Sequence, residues 1–546
     1  MPDVLVYKKI KNDCSVTKIF PPYESKPNCM PNPNNSKPVK INPKITSIFA
    51  CSSIFAFLNA LPIRYFTTPL NPPKNSFCLS LANGFIILNK VDSGSWGFIV
   101  AVLEQKVGAL KLSWSNSNQA GLIFILLYTI LALVPTALAF AYKPNSDDPL
   151  TEELAFGCGL TGFAIISLQV AMGSRLKFLD QAFGLDAVMI FHKRMAVFAT
   201  LLLLMHPVLL SIGLGNISLL GFGTPWQVNL GKAALLLLVL NVLFSLFFPK
   251  LRVDYNNWRI IHKAMIFVVV IGFIHSINIG EDLEYKWLRI YWWTLFVIMA
   301  GLFSFRNFLF PFAGRKKFTV KSIQRQSWDT YTLHMAPDNG KLFGYKPGQF
   351  MFLELQKANQ VSQEHPFTIS SSPANRDDLT VTIKKSGNYT DNIDQTMPGE
   401  KALVEAPFGR FSIAFTPKAR SFLFIAGGVG ITPIHSIILF LRQQNDSRQV
   451  RLIFGNKQEK DILFREELES CPQNFKIFHV LSKPEKNWTG LSGHINGDVI
   501  TKCASDVISE AEVFLCGPPG MMKTVIAELN GLGIPDRRIH YERFTI

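Results

Sequence analysis

The chain has 546 residues, room for about three domains. It holds 45 phenylalanines but only 17% charged residues, a mixture that points to a protein part membrane-embedded and part soluble. The eight cysteines (Cys14, Cys29, Cys51, Cys78, Cys158, Cys471, Cys503, Cys516) form no C-x-x-C pair, which argues against iron–sulfur, zinc and disulfide frameworks. The net charge of +16 comes without a basic helix interleaved with aromatics, so no nucleic-acid partner is expected.

Residues 1–116 are rich in Pro, Asn, Ser and Lys, and "PNCMPNPNN" reads as disordered. The run "ITSIFACSSIFAFLNALPI" is a weak span or a signal-like segment without a cleavage site. No Met falls between Met30 and Met172, so the working protein is expected to start near residues 107–118, at a non-standard start codon. Residues 1–116 therefore stay unassigned, as a disordered or mis-annotated extension.

Six apolar runs follow, at roughly 119–141, 154–173, 187–212, 231–249, 258–278 and 287–309. Each is close to the ~20 residues that a helix needs to cross the hydrocarbon core. Arg175 and Lys177 follow the second run, Lys250, Arg252 and Arg259 the fourth, and Arg315, Lys316 and Lys317 the sixth. The alternate loops hold Asp147, Asp148, Glu152, Glu153, Glu281, Asp282 and Glu284. By the positive-inside bias both termini face the cytoplasm.

Beyond residue 317 the pattern changes. Short alternating strands such as "YKPGQFMFLEL" and "LTVTIKKSG" predict a small antiparallel barrel to about residue 415. From 420 to the end, β-runs ("SFLFIAGG", "VRLIFGN", "FKIFHVL", "EVFLCG") alternate with helical stretches, as in a parallel α/β sheet. In "FIAGGVGITPI" a strand runs into Gly427, Gly428 and Gly430. Thr432 and Pro433 then open a helix whose N-terminal dipole favours an anion.

Ionisable side chains inside membrane spans are costly and point to function. His192 and His206 lie 14 residues apart in the third run, and His262 and His275 lie 13 apart in the fifth. At 1.5 Å per residue these steps are about 21 and about 20 Å, and both runs travel the same way across the bilayer, so the levels match. His192 with His262, and His206 with His275, are therefore expected to clamp two b-type hemes. Such iron is coordinatively saturated and suited to passing single electrons. A 13-residue step lands about 140° away on a regular helix, so the fifth run must be distorted or meet its two hemes from different sides; Gly272 is one candidate for the distortion.

"FHK" at the head of the third run and the two histidine pairs resemble the ferric reductase and NADPH oxidase superfamily of transmembrane flavocytochromes, over about residues 119–546. The closer likeness is to a ferric-reductase-like member of bacterial type. The resemblance implies a six-helix transmembrane bundle (117–312), a ferredoxin-reductase-like antiparallel β-barrel for FAD (313–416) and an α/β parallel-sheet domain for NAD(P)H (417–546). "EHPFTISSSP" resembles the family's flavin motif. On that likeness Phe367 stacks on the isoalloxazine, Thr368 bonds near its reactive nitrogen, His365 approaches the pyrophosphate, and Pro366 and Ser370 complete the segment. Lys384, Gly387 and Thr390 of "IKKSGNYT" resemble the second phosphate-contacting segment, and Gly409 of "APFGRF" a tight turn that lets a phosphate come close. Cys516, Gly517 and Pro518 are expected to edge the nicotinamide, with Cys516 near the hydride path. Lys457 is a candidate for the 2′-phosphate that would favour NADPH over NADH, and Phe544 for a ring that covers the flavin.

The expected activity passes electrons from cytoplasmic NAD(P)H through FAD and two hemes to an extracytoplasmic acceptor, most simply a ferric or cupric ion. A superoxide-forming oxidase on the same scaffold is the first alternative, and a non-catalytic heme-binding sensor or anchor the second. The oxidase branch tends to carry a His one turn past the outer ligand and an Arg in the outer half of the second span. This chain has Leu210 at the first place and "LAFGCGLTGF" at the second. The acidic loops, by contrast, would attract metal cations. Partner subunits are left open.

Overall fold

The structure is a computed structural model that describes residues 116–142 and 149–542 except Phe222, Arg252, residues 358–362 and Asn388, together with the backbone of two short paired strands, Leu81–Ala82 and Phe85–Ile86. The expected late start, the signal-like run, Asp147, Asp148 and Phe544 lie outside the described residues.

Six stretches are long and apolar enough to cross a membrane. In chain order the helices are α1 (Asn116–Tyr142), α2 (Leu150–Gly173), the short α3 (Lys177–Phe183), α4 (Leu185–Gly213), α5 (Trp226–Phe247), α6 (Tyr255–Lys263), α7 (Met265–Ile279) and α8 (Lys286–Ser304). A π-turn at Phe305–Leu309 leads into α9 (Phe310–Ala313) and completes the sixth span. Large apolar side chains such as Leu236, Phe267 and Val297 stand outward. Such faces suit lipid and would be costly in water.

The chain divides into two compact units. The first takes in residues 132–167 and 195–297. Phe273 stacks on Phe296 at 4.0 Å, Phe163 leans on Trp292 at 5.0 Å, and the Trp292 indole donates to Ser276 Oγ at 2.8 Å. Such satisfied polar contacts are what an apolar interior demands. The fifth span is broken between its two histidines: α6 ends at Lys263, and the Ala264 N–H turns back to the Ile261 carbonyl at 3.1 Å. This break, rather than Gly272, interrupts the regular 100° advance that set the histidines on different faces. Gly272 sits inside α7 for another reason, since a Cβ there would lie 2.9 Å from the Phe163 ring.

The second unit holds residues 168–194 and 298–546. Its antiparallel sheet is made of β1 (Lys316–Arg325), β2 (Thr330–Pro337), β3 (Phe350–Gln356), β4 (Glu364–Thr368), β5 (Leu379–Lys384) and β6 (Lys401–Phe408), in the order β4-β3-β6-β1-β2-β5. Phe318, Leu333, Met351, Val381 and Val404 fill its core. Pro366 is tolerated because β4 is an edge strand.

The nucleotide domain has β7 (Ser421–Gly427), α10 (Ile431–Gln443), β8 (Gln449–Asn456), α11 (Arg465–Glu469), β9 (Phe475–Leu481), β10 (Leu491–Ser492), α12 (Gly497–Ala504), β11 (Glu512–Cys516), α13 (Pro519–Gly531) and β12 (Ile539–Tyr541). Its parallel order is β10-β9-β8-β7-β11-β12. Every residue of β7 is buried, as expected for a central strand with helices over both faces. The strand order reverses beside β7, so the crevice at the carboxyl ends of β7 and β11 is the place where such sheets take ligands.

Candidate functional site

Three of the predicted heme ligands share one local arrangement. His206 bonds through Nδ1 to the Ala155 carbonyl at 2.8 Å, and His275 through Nδ1 to the Gln227 carbonyl at 2.8 Å. A carbonyl only accepts, so each Nδ1 carries the proton and each Nε2 keeps its lone pair for a metal. His262 Nδ1 lies 3.2 Å from both Ser245 Oγ and Asn241 Oδ1, and its ring stacks on Trp258 at 5.1 Å. Gly159 and Gly231 make room for two of these rings. A Cβ on Gly159 would meet His206 Nδ1 at 2.9 Å, and one on Gly231 would meet His275 Cε1 at 2.6 Å. His192 lies on α4 and is half-buried. With Nδ1 engaged in this way, the donor set fits histidine-ligated iron.

Asn241 and Ser245 escaped the sequence reading, although a signal was present. They are polar, four residues apart in an apolar run, and so on one helix face. The loop acids fare differently from expectation: Glu152 and Asp282 are buried, and Glu284 is exposed. Buried acids do not present charge to arriving cations, so the acidic face is weaker than the sequence suggests.

In the barrel, His365 stacks on Tyr389 at 4.1 Å, with Phe367 6.4 Å from the same ring. Tyr389 is thus a third ring beside the flavin segment, hidden in the sequence by its polar neighbours. Thr368 is buried at the end of β4, and Ser370 Oγ bonds Thr380 Oγ1 at 2.9 Å. Other predicted phosphate contacts are used internally. Lys384 pairs with Asp329 at 3.2 Å, the Gly387 N–H donates to Asp391 at 3.1 Å, and Thr390 Oγ1 accepts from the Ser386 N–H at 2.8 Å. The Gly409 N–H donates to both carboxylate oxygens of Asp180 at 3.1 Å and is not open to a phosphate.

That last bond belongs to a larger attachment. Arg175, Lys177 and Arg315, counted in the sequence only as orienting charges, are paired within the second unit. Arg175 reaches Glu364 at 3.0 Å and lies 3.5 Å over the Phe352 ring; Lys177 donates to the Ala406 carbonyl at 2.6 Å; Arg315 meets Glu354 at 2.5 Å. Arg306 grips Glu405 with two bonds, at 2.9 and 2.6 Å. Burial pushes the Glu364 carboxyl up, but the guanidinium groups of Arg175 and Arg315 outweigh it and hold the group below the usual range. Burial lifts Asp180 to about 6 despite the Gly409 N–H.

In the nucleotide crevice the predicted glycines and the cysteine strand meet. A Cβ on Gly430 would sit 2.5 Å from the Cys516 carbonyl oxygen, one on Gly427 would lie 2.9 Å from Pro518, and one on Gly517 would lie 3.2 Å from the Gly427 backbone. Gly428 has φ +54, and its Cβ position faces open space. The turn therefore leaves backbone exposed at the amino end of α10, beside buried Thr432 and Pro433, where an anion is favoured. Burial and then the neighbouring Glu542 push the Cys516 thiol up, so it stays a neutral, unreactive group. Lys457 is exposed just past β8.

Three families match the chain. Residues 158–273 match the ferric reductase like transmembrane component, residues 313–454 the FAD-binding domain and residues 424–526 the oxidoreductase NAD-binding domain. The chain is 32% identical over 253 residues to the glycine betaine monooxygenase reductase subunit of Pseudomonas aeruginosa, covering 44% of this chain and 68% of that protein. It is 35% identical over 162 residues to the NADH-cytochrome b5 reductase 1 of Debaryomyces hansenii, covering 29% and 56%. A flavohemoglobin from Malassezia yamatoensis with bound FAD and heme aligns at TM-score 0.42 and 18% identity, over 76% of this chain and 99% of that one. Fold and matched families together define a multi-pass membrane oxidoreductase with FAD- and NAD(P)H-binding domains. The chain belongs to the ferric reductase and NADPH oxidase superfamily.

Proposed function

We propose that this oxidoreductase carries electrons across the membrane, from cytoplasmic NAD(P)H to an acceptor on the far side, through FAD and two b-type hemes. The observation that carries the reading is the Nδ1 bonding of His206, His262 and His275, which turns three Nε2 lone pairs to a common task. Flavin supplies the exchange of a two-electron hydride for single electrons, and bis-histidine iron supplies one-electron carriage. His192 with His262, and His206 with His275, are the ligand pairs. Both termini face the cytoplasm, on the side of the basic loops.

The remaining steps fall to named side chains and backbone. Phe367 offers a ring face to the isoalloxazine, Thr368 a hydroxyl to its edge, and His365 with Tyr389 the wall beside them. The turn at Gly427, Gly428 and Gly430 takes the dinucleotide phosphates at the amino end of α10. Cys516, Gly517 and Pro518 border the nicotinamide, with the thiol neutral and out of the chemistry. Lys457 is free to meet a 2′-phosphate; one relative's name specifies NADH, and both cofactors belong in the test.

A ferric or cupric acceptor is favoured over oxygen. The outer half of the second span lacks an Arg, and position 210 is Leu, so the two groups expected of the oxidase branch to steady a superoxide anion are missing at those places. The test is NADPH and NADH consumption by the purified protein in detergent, with heme counted per chain. The expected result is about two hemes per chain and faster turnover with a ferric chelate than with oxygen. Superoxide accounting for all NADPH consumed, with no stimulation by the chelate, would reverse the acceptor. One heme per chain would remove the paired-ligand assignment.

A further inference from the structure

One histidine belongs to none of these sites. His435 lies in the first half of α10, four residues after Ile431, and is only 4% exposed. Its Nδ1 is 3.2 Å from the Ser370 carbonyl oxygen, two residues past Thr368 on the flavin segment. Its Nε2 is 2.8 Å from Glu467 Oε2 on α11. A carbonyl accepts only, so Nδ1 donates to Ser370, while Nε2 faces the Glu467 carboxylate. The ring also lies flat on Phe464, with centroids 3.7 Å apart and planes at 9°. Phe464 holds this place from a left-handed backbone, φ +55, which is uncommon for a bulky residue and marks a constrained spot. The next residue repeats the pattern: Ser436 Oγ donates to the Ser371 carbonyl at 2.6 Å and accepts from the Gly348 N–H at 3.3 Å.

We infer that His435 is a positioning residue, which ties the end of the flavin-binding strand to the phosphate-binding helix and so sets the distance across which hydride passes from nicotinamide to flavin. The inference rests on the flavin and nicotinamide reading above. Thr368 and Ser370 belong to the flavin lobe, Gly428 and Gly430 to the nucleotide lobe, and the bonds of His435 and Ser436 link the two backbones directly. Losing that link leaves each cofactor its own contacts but loosens their mutual geometry. Hydride transfer is steep in distance, and a shift of about 1 Å can cost about a hundredfold in rate.

The link also depends on charge. The Glu467 carboxyl is held below its usual range, first by its bond to His435 and then by the nearby charges of Arg442 and His334. Glu467 is half-exposed, so protons reach the pair from solvent. The latch depends on an ionised Glu467 and weakens on the acid side as that carboxyl protonates.

The experiment uses the full-length protein in detergent, with FAD content, nicotinamide affinity and single-turnover flavin reduction measured separately. His435→Phe keeps the stack on Phe464 and removes both hydrogen bonds. It should retain FAD and bind NADPH within about twofold of wild type, yet reduce flavin about tenfold or more slowly, with a weakened nicotinamide–flavin charge-transfer band. His435→Gln keeps one donor and should recover part of the rate. Glu467→Gln, on the half-exposed side, guards against a folding failure and should flatten the acid limb of the rate. Wild-type rate and charge-transfer band in His435→Phe would overturn the inference; so would an unchanged pH profile in Glu467→Gln. A wild type that binds no FAD or oxidises no nicotinamide would instead overturn the reading beneath it.

Discussion

The histidine niches of the spans and the glycine crevice of the nucleotide domain are both candidate cofactor sites, yet they are built differently. In the spans a few polar groups do the work: the carbonyls of Ala155 and Gln227 and the side chains of Asn241 and Ser245 each fix an imidazole. In the crevice the determinants are absences, since Gly427 and Gly430 leave out side chains so that two strand ends can touch. Lipid explains the contrast. Polar groups are expensive in the spans, so the few beside the histidines are put to use, whereas in the soluble lobes polar groups are cheap and shape discriminates.

The sharpest way to break this contrast is to apply the crevice's logic in the spans. Gly231→Ala places a Cβ 2.6 Å from the His275 ring, and Gly159→Ala one 2.9 Å from His206 Nδ1. Each should displace its ring and lower heme content from about two to about one per chain. Gly301→Ala, whose Cβ would meet nothing within 4 Å, should keep both. Full heme retention in the first two variants, by pyridine hemochrome assay, would undo the assignment of the niches.

A second test asks whether charge in the soluble unit is structural. Glu405 is 3% exposed and gripped by Arg306. Arg306→Ala leaves the carboxylate only the longer contact to Arg175, at 3.6 Å, and should cost about 3 kcal/mol, visible in thermal unfolding of the purified protein. Replacing both partners by apolar residues should cost much less. Equal losses from the single and double changes would argue that the pair is not desolvated.

Asp180 gives a pH test of the same attachment. Its folded value, about 6, lies above the ordinary aspartate range, so the folded chain holds this proton more tightly than the unfolded one. Stability contributed by the protonated group is therefore full at low pH and lost as pH rises from about 4 to about 6. The total is at most about 3 kcal/mol. Asp180→Asn should remove that slope, and an unchanged slope in unfolding midpoints across this range would assign it elsewhere. The smallest effect belongs to the flavin edge: Thr368→Ala should weaken FAD by about 0.5–1.5 kcal/mol, measured by fluorescence titration. Phe367→Ala should weaken it more, because the ring face goes as well.

Much of this molecule was legible as text. Apolar runs of span length, histidines inside them, and a strand followed by glycines and a helix start are local patterns, and local patterns follow from helix rise, lipid thickness and backbone geometry. The spacing of His262 and His275 required either a distortion or hemes met from different sides, and a break lies at Ala264 and not at Gly272. Which distant groups meet is settled by packing alone. Nothing near Arg175 in sequence names Glu364, nothing near Gly409 names Asp180, and nothing near His435 names Ser370 or Glu467. Each of those partners is one of many carboxylates or carbonyls along the chain. The choice among them is made by burial, where a charged or donating group must find a partner in its own neighbourhood, and that neighbourhood exists only once the strands and helices have packed.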